Sequence, residues 1–294
     1  MFKIETLRII FFNLFIATLI GCAGRQAGWQ QVEKGARGDA SVLIAKADAR
    51  WENRLDRTEL EKALTLYTEA AQRDPENLKL LTYLSRAYYF YADSHLQADE
   101  EREAQLEAYN QGAQWGEKAL ALNLEFKKLV ESGTKPEDAF FVLDKPYIGA
   151  LYWSASNLGK WAKKKGIIAA LSLRARGIKG MERCLELDET YFYGAPHRWL
   201  GAYYSIIPAF AGQDLKKSQE HFERSLEIAP NYFATRILRA ENYSPKAEDR
   251  ALFKSDLRFV LETDPSVLPD IVPEQTVEQR KAEKLLADID DLFF

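Results

Sequence analysis

The residue best placed for covalent chemistry is Cys22. It follows Leu19-Ile20-Gly21 and closes an apolar run from Ile9 to Ile20, behind a start carrying Lys3 and Arg8. A charged start, an apolar middle of about a dozen residues and a small residue before the cut make a secretory signal, too short to cross a bilayer as a mature helix. Cysteine directly after the small residue resembles a bacterial lipobox. The chemistry implied is acylation of the Cys22 thiol, with residues 1–21 removed and Cys22 left as the first mature residue. Two or more acyl chains anchor stably, at about 0.8 kcal/mol per buried CH2. Ala23 stands where an aspartate would retain such a protein in the inner membrane, which favours the outer membrane. Residues 22–40 are polar and rich in Gly, Ala and Gln, and read as a flexible tether.

Non-covalent chemistry is suggested by aromatic clusters with polar neighbours. Tyr88 lies in Tyr88-Tyr89-Phe90-Tyr91, Trp153 and Trp161 lie on a second helical stretch, and Trp199, Tyr203 and Tyr204 lie on a third. Adjacent positions on a helix point in different directions, so part of each cluster faces the core and part faces solvent or a cavity. Core packing is the commoner role of any one of these residues. Taken together, Tyr88, Trp153, Asn157, Trp161, Arg198, Tyr203 and Tyr204 are the candidate ligand-binding residues, with Lys160 a further polar contact.

Other chemistry finds no support in the residue pattern. His95, His197 and His221 lack metal-ligand spacing to one another or to cysteine. His197 reads as a capping and packing residue, and His221 as part of a solvated face. No G-x-S-x-G, P-loop or G-x-G-x-x-G occurs. The carboxylates sit in alternating-charge runs such as Asp99-Glu100-Glu101-Arg102-Glu103, which read as solvated helix faces. The expectation is a protein without catalytic residues, metal or cofactor. Cys184 reads as a buried packing thiol, because acylation of Cys22 leaves it no disulfide partner. Lys163-Lys164-Lys165-Gly166 reads as a basic helix end that complements the helix dipole.

These groups must be held by helices. Past residue 40 almost every segment has a 3.6-residue apolar period and almost none alternates as a strand does. Helix stops recur at Asp74-Pro75, Ala229-Pro230 and Asp264-Pro265, since proline removes a donor and disfavours helical geometry before it. Leu185 to Tyr191 is a variant without proline that aligns with Leu226 to Tyr232. Pro230 and Pro265 are 35 residues apart, close to the repeat of about 34 in tetratricopeptide units. Ala63-x3-Tyr67-x2-Ala70-x4-Pro75 resembles the second half of that motif, and Trp199-Leu200-Gly201-x2-Tyr204 the first. The expected fold is all-α over residues 41–294: a tetratricopeptide-like stack of four or five irregular helical hairpins, with Thr276 to Asp290 as a cap helix. Gln111 to Asn123 is expected as one helix, and Glu131 to Pro146 as a long loop holding one short turn. Loss of residues 1–21 removes two positive charges and one negative, so the formal charge of −4 becomes −5. That balance lacks the basic footprint of a nucleic-acid binder.

Further motifs carry a resemblance. Ala240-Glu241-Asn242-Tyr243, Asp249-Arg250-Ala251-Leu252-Phe253, Val260 to Pro265, and Gln279-x-Lys281-Ala282-x2-Leu285-Leu286 resemble the T-component family of TRAP transporters. His197 to Tyr204 and His221 to Leu226 resemble the same family, and the order of elements agrees over residues 40 to 294. Gln275 stands where that family leads one to expect Asn, at a turn contact. The resemblance implies a periplasmic lipoprotein that pairs with a TRAP substrate-binding protein, assembles as a homotrimer, and assists uptake of a small carboxylated or hydrophobic molecule. The alternative within binding proteins is a tetratricopeptide lipoprotein that scaffolds envelope assembly.

Overall fold

A computed structural model describes residues 25–31 and 38–293; Cys22 and the secretory segment lie outside the described residues. Among these residues there are fourteen α-helices and no strand. They are α1 (Ser41–Trp51), α2 (Arg57–Arg73), α3 (Leu78–His95), α4 (Arg102–Leu120), α5 (Leu124–Glu131), α6 (Pro136–Ala139) and α7 (Ile148–Lys165). There follow α8 (Ile167–Asp188), α9 (Tyr191–Ile206), α10 (Leu215–Ile228), α11 (Phe233–Leu238), α12 (Arg250–Glu262), α13 (Val272–Ala287) and α14 (Ile289–Leu292). The proline stops fall as expected, because α2 ends at Arg73, α10 at Ile228 and α12 at Glu262. Asp56, Asn77, Asn123, Asp214 and Asp249 each accept a backbone N–H from the first turn of the helix they precede. Each such cap contributes about 1 kcal/mol.

Three segments differ from the sequence expectation. The stretch from Glu131 to Pro146 is not one loop: it holds α6 and two short 3-10 turns. Pro136 begins α6, where its missing N–H costs nothing. The helix expected over Gln111–Asn123 is the last half of the longer α4, whose solvated first turns hid its start. The cap helix begins at Val272 rather than Thr276, since Pro273 is tolerated in a first turn.

Consecutive helices pack on one another: α1 on α2, α3 on α4, α7 on α8, α9 on α10 and α12 on α13. Helix α7 also packs on α3 and α4, which makes it the centre of the molecule. The α3–α4–α7 junction is built on small residues. A Cβ on Gly112 would lie 2.3 Å from Asn157 Oδ1, and one on Gly116 would lie 2.6 Å from Ser154 Cβ. Gly116→Ala is therefore expected to destabilise by about 1–3 kcal/mol through forced separation of α4 and α7, read as a lower denaturant midpoint.

Helix α13 reaches back across the chain. Its Glu274 accepts from Arg54 and Arg86, and its Lys281 donates to Asp93 on α3. Gln275 is fully buried and makes the turn contact itself, accepting from Phe233 N at 3.0 Å and donating to Asn231 O at 2.8 Å. Within the segment read as a tether, Arg25 to Gln31 lies along α4. Arg25 forks onto the buried Glu117 with both bonds at 2.8 Å, and Gly28 N donates to the same carboxylate at 2.7 Å. Only glycine can approach so closely there, since a Cβ on Gly28 would meet Gln114 O at 2.1 Å. Trp29 then packs edge-on against Phe126, under Arg176.

Candidate functional site

Helices α7 and α8 are joined by Gly166 alone, at φ 115°, so two long helices turn back tightly on each other. Tyr152, Ser156 and Lys160 recur every four residues on one face of α7. Ile167, Leu171 and Arg174 lie on the facing side of α8. Arg198, Trp199, Tyr203 and Ile206 of α9 close a third side, and Glu241 and Asn242 of a π-helical turn (Arg239–Tyr243) a fourth. They enclose a mainly apolar cavity of about 310 Å³, at the lower end of ligand-pocket size. Glycines set its shape: a Cβ on Gly177 would lie 2.7 Å from the Trp199 ring. The Trp199 indole can therefore sit against α8 and stack on Tyr203, with ring centroids 5.5 Å apart.

Arg198 lies deep, 2% exposed. Its guanidinium donates to Tyr193 O at 3.0 Å, and to Phe192 O and Tyr152 Oη at 3.4 Å. It also lies 4.3 Å over the Tyr232 ring. Those carbonyls belong to a left-handed turn: Phe192, Tyr193 and Gly194 have φ of 42°, 63° and 69°. Two non-glycine residues there cost roughly 1–3 kcal/mol each and persist only where the surroundings fix them. Right-handed helix resumes directly after, which puts Pro196 in a first turn where it removes no bond. Ser156, 3% exposed, lines the cavity with a hydroxyl that has no hydrogen-bond partner.

Of the remaining wall cations, Lys160 and Lys163 are matched, and the exposed Arg174 donates to Ala211 O at 3.4 Å. Lys160 Nζ lies 2.7 Å from Asp93 Oδ1, and Lys281 holds the other oxygen of that carboxylate. Burial alone would raise the Asp93 carboxyl, but the ammoniums of Lys160 and Lys281 more than reverse this and hold it well below the usual range. At the mouth Lys163 faces Glu241 at 3.8 Å, and Ile167 and Ile206 are partly exposed.

Of the candidate residues, Arg198 and Tyr203 line the cavity, as does Lys160. Trp153 faces a second depression with Tyr83, Arg86 and Phe192. Asn157 is fully buried and donates at 2.9 Å to Ser85 O across the α3–α7 contact and, also at 2.9 Å, to Trp153 O on its own helix. Trp161 packs with Ala92, Leu96 and Tyr109. Tyr88 packs against the same cluster and the main core. Tyr204 stacks on His221, with centroids 5.8 Å apart. Ser156 and Tyr152 were passed over as site residues; their four-residue spacing to Lys160 is the signal that connects them. Cys184 is fully buried, and desolvation pushes its thiol up, which fits a packing role.

His221 departs from the expected solvated face. It is half-buried against Tyr204, its Nδ1 lies 2.9 Å from His197 Nδ1, and His197 Nε2 reaches Glu189 Oε2 at 3.0 Å. Burial, with the nearby His197 and Lys217 charges, lowers the His221 imidazole to about 4. A native value below the unfolded one, about 6.5, means that the folded state binds fewer protons. The stability that His221 contributes is then complete above pH ~6.5 and declines as pH falls towards the native value. An NMR titration is expected to find His221 neutral at pH ~5.5. His221→Phe is expected to flatten the pH dependence of unfolding across that window.

Among the described residues, no His, Cys, Asp and Glu group is arranged to hold a metal ion, and no helix is long and apolar enough to cross a membrane. Fold and cavity define the class: an all-α protein whose long helices α7, α8 and α9 wall an internal cavity with an arginine at its base. The TRAP transporter T-component family matches residues 42–293, and the chain belongs to that family. No curated protein matches it. Membership makes it an accessory component of a TRAP transporter, a membrane-associated periplasmic setting, in a family not known for enzymes.

Proposed function

We propose that the protein is a lipid-anchored accessory that holds a small organic ligand in the α7–α8–α9 cavity and exchanges it with the substrate-binding protein of its TRAP system. The observation that carries this reading is the cavity itself, apolar along its walls and charged at its base. A permanent cavity of this size forfeits packing contacts, which a ligand would restore. Acylation of Cys22 supplies the attachment, with the outer membrane as the favoured site, and three copies assemble as the family resemblance implies.

Ala202→Phe fills the cavity from α9 and is the central test. Wild-type protein is expected to co-purify with the TRAP substrate-binding protein and to release a small molecule on denaturation, detected by mass spectrometry. The filled variant is expected to release none. A wild-type protein that carries no ligand and captures an envelope-assembly complex instead would establish the scaffold role and sink this reading. Cys22→Ser is expected to move the protein from the membrane to the soluble periplasmic fraction.

A further inference from the structure

Arg198 is the one buried wall cation of the cavity that no carboxylate of the described residues neutralises; Arg174, also without a carboxylate, is exposed and donates to Ala211 O at 3.4 Å. Lys160 is paired with Asp93, and Lys163 with Glu241. Its three hydrogen bonds go to neutral oxygens and leave two of the five guanidinium N–H groups without a partner. A charge buried this way is costly unless an anion completes it. The Ser156 hydroxyl is a second, independent gap: buried, in the same cavity and unpartnered.

We infer that Arg198 and Ser156 form an anion subsite, which takes the single charged head, such as a carboxylate, of an otherwise apolar ligand. The inference rests on the ligand-holding reading above. The head sits at the closed end, because Arg198 and Ser156 are 2% and 3% exposed whereas Ile167 and Ile206 at the mouth are 49% and 40% exposed. The apolar body lies along Leu171, Trp199, Tyr203 and Ile206. Beyond Arg198, a second carboxylate finds no buried unmatched cation in this cavity. It would lie against those apolar walls or face the Glu241 carboxylate; Lys160 and Lys163 are already matched, and a contact with the exposed Arg174 is weakened by solvent screening. The subsite therefore selects monoanions over dianions. It also gives the left-handed turn at Phe192–Gly194 a use, since that turn aims two carbonyls at Arg198 and fixes the guanidinium plane.

The test is calorimetric titration with three eight-carbon probes: octanoate, 1-octanol and the dianion suberate. Octanoate is expected to bind wild type more tightly than either of the others, by roughly 10- to 100-fold, the worth of a charged hydrogen-bonded contact. Arg198→Gln keeps donors for the turn carbonyls but removes the charge. It should bring octanoate down to the level of octanol and leave octanol unchanged. Ser156→Ala does not touch the turn and covers the case in which Arg198→Gln fails to fold. It should weaken octanoate by about 3- to 10-fold while raising the Tm of the ligand-free protein, because it deletes a buried unpartnered hydroxyl. A purely structural serine would not give opposite signs. Equal binding of octanoate and octanol, in wild type and Arg198→Gln alike, overturns the anion subsite and leaves the ligand cavity standing. Suberate binding as tightly as octanoate overturns the selection for a single charge. If no probe binds and Ala202→Phe changes nothing, the cavity reading falls with the inference.

Discussion

Asp256→Ala is expected to lower folding stability by about 4–5 kcal/mol, near the upper end for breaking a buried ion pair. Asp256 is fully buried on α12 and receives three charged hydrogen bonds. Arg239 forks onto it at 2.7 Å through Nε and Nη2, and Arg236 adds a bond at 3.0 Å. Removing the carboxylate strands two guanidiniums, of which Arg239 is 9% exposed. Arg239 belongs to the π-helical turn that supplies Glu241 and Asn242 to the cavity, so the loss propagates to the site. Chemical denaturation should show a reduced midpoint at unchanged slope. Replacing Asp256, Arg236 and Arg239 together by apolar residues of similar volume should recover most of the loss, because burying the ions has its own desolvation cost. A midpoint within about 1 kcal/mol of wild type for Asp256→Ala alone would show that the cluster does not hold α12.

Asp93→Ala is the second large effect, expected at about 3 kcal/mol. The figure sits at the lower end because the Lys160 and Lys281 side chains are 31% and 26% exposed and Lys281 keeps Glu278 at 2.8 Å. The pH dependence follows from the depressed Asp93 carboxyl. Its native pKa lies below the unfolded value of about 3.9, so the folded state holds fewer protons there. The contribution is complete above that value and is lost as pH falls through the native one. The gap between wild type and Asp93→Ala should therefore stay constant from neutral pH to about 5 and shrink below about 4. A gap that widens on acidification would contradict the assignment. The variant also frees Lys160 on the cavity wall, so a dianion excluded by wild type should gain affinity.

The proline and Asx punctuation was legible in the sequence, since those residues act on their own backbone. Pro75, Pro230 and Pro265 placed helix ends correctly, and Asn77 opened α3. Family membership was legible too, in the motifs after residue 195. Long-range placement was not. Nothing near Glu274 or Lys281 announces partners on α3, because a surface-type charge pattern looks alike whether it faces water or an opposite charge 188 residues away. The left-handed turn is equally silent, as Phe192 and Tyr193 are residues that rarely adopt positive φ, and only Gly194 hints at it. Tyr203 was visible as an aromatic-cluster residue and Arg198 as a polar neighbour of that cluster, and both line the cavity from α9. Trp153 and Asn157 share α7 with Ser156 but point to other neighbours, since each step along a helix turns the side chain by about 100°. A lone serine carries no motif, so the unpartnered Ser156 could emerge only once three helices were assembled around it.

The clasp of Arg25 and Gly28 on Glu117 has a mechanical consequence. Cys22 precedes Arg25 by three residues, a reach of at most about 10 Å for fully extended chain. A lipid on Cys22 would thus be moored to the flank of α4 on a short line rather than swinging on a long one. The protein would ride at its membrane with one side always inboard. Incoming partners would meet a fixed outboard side, and the number of orientations to be searched in each encounter would fall accordingly.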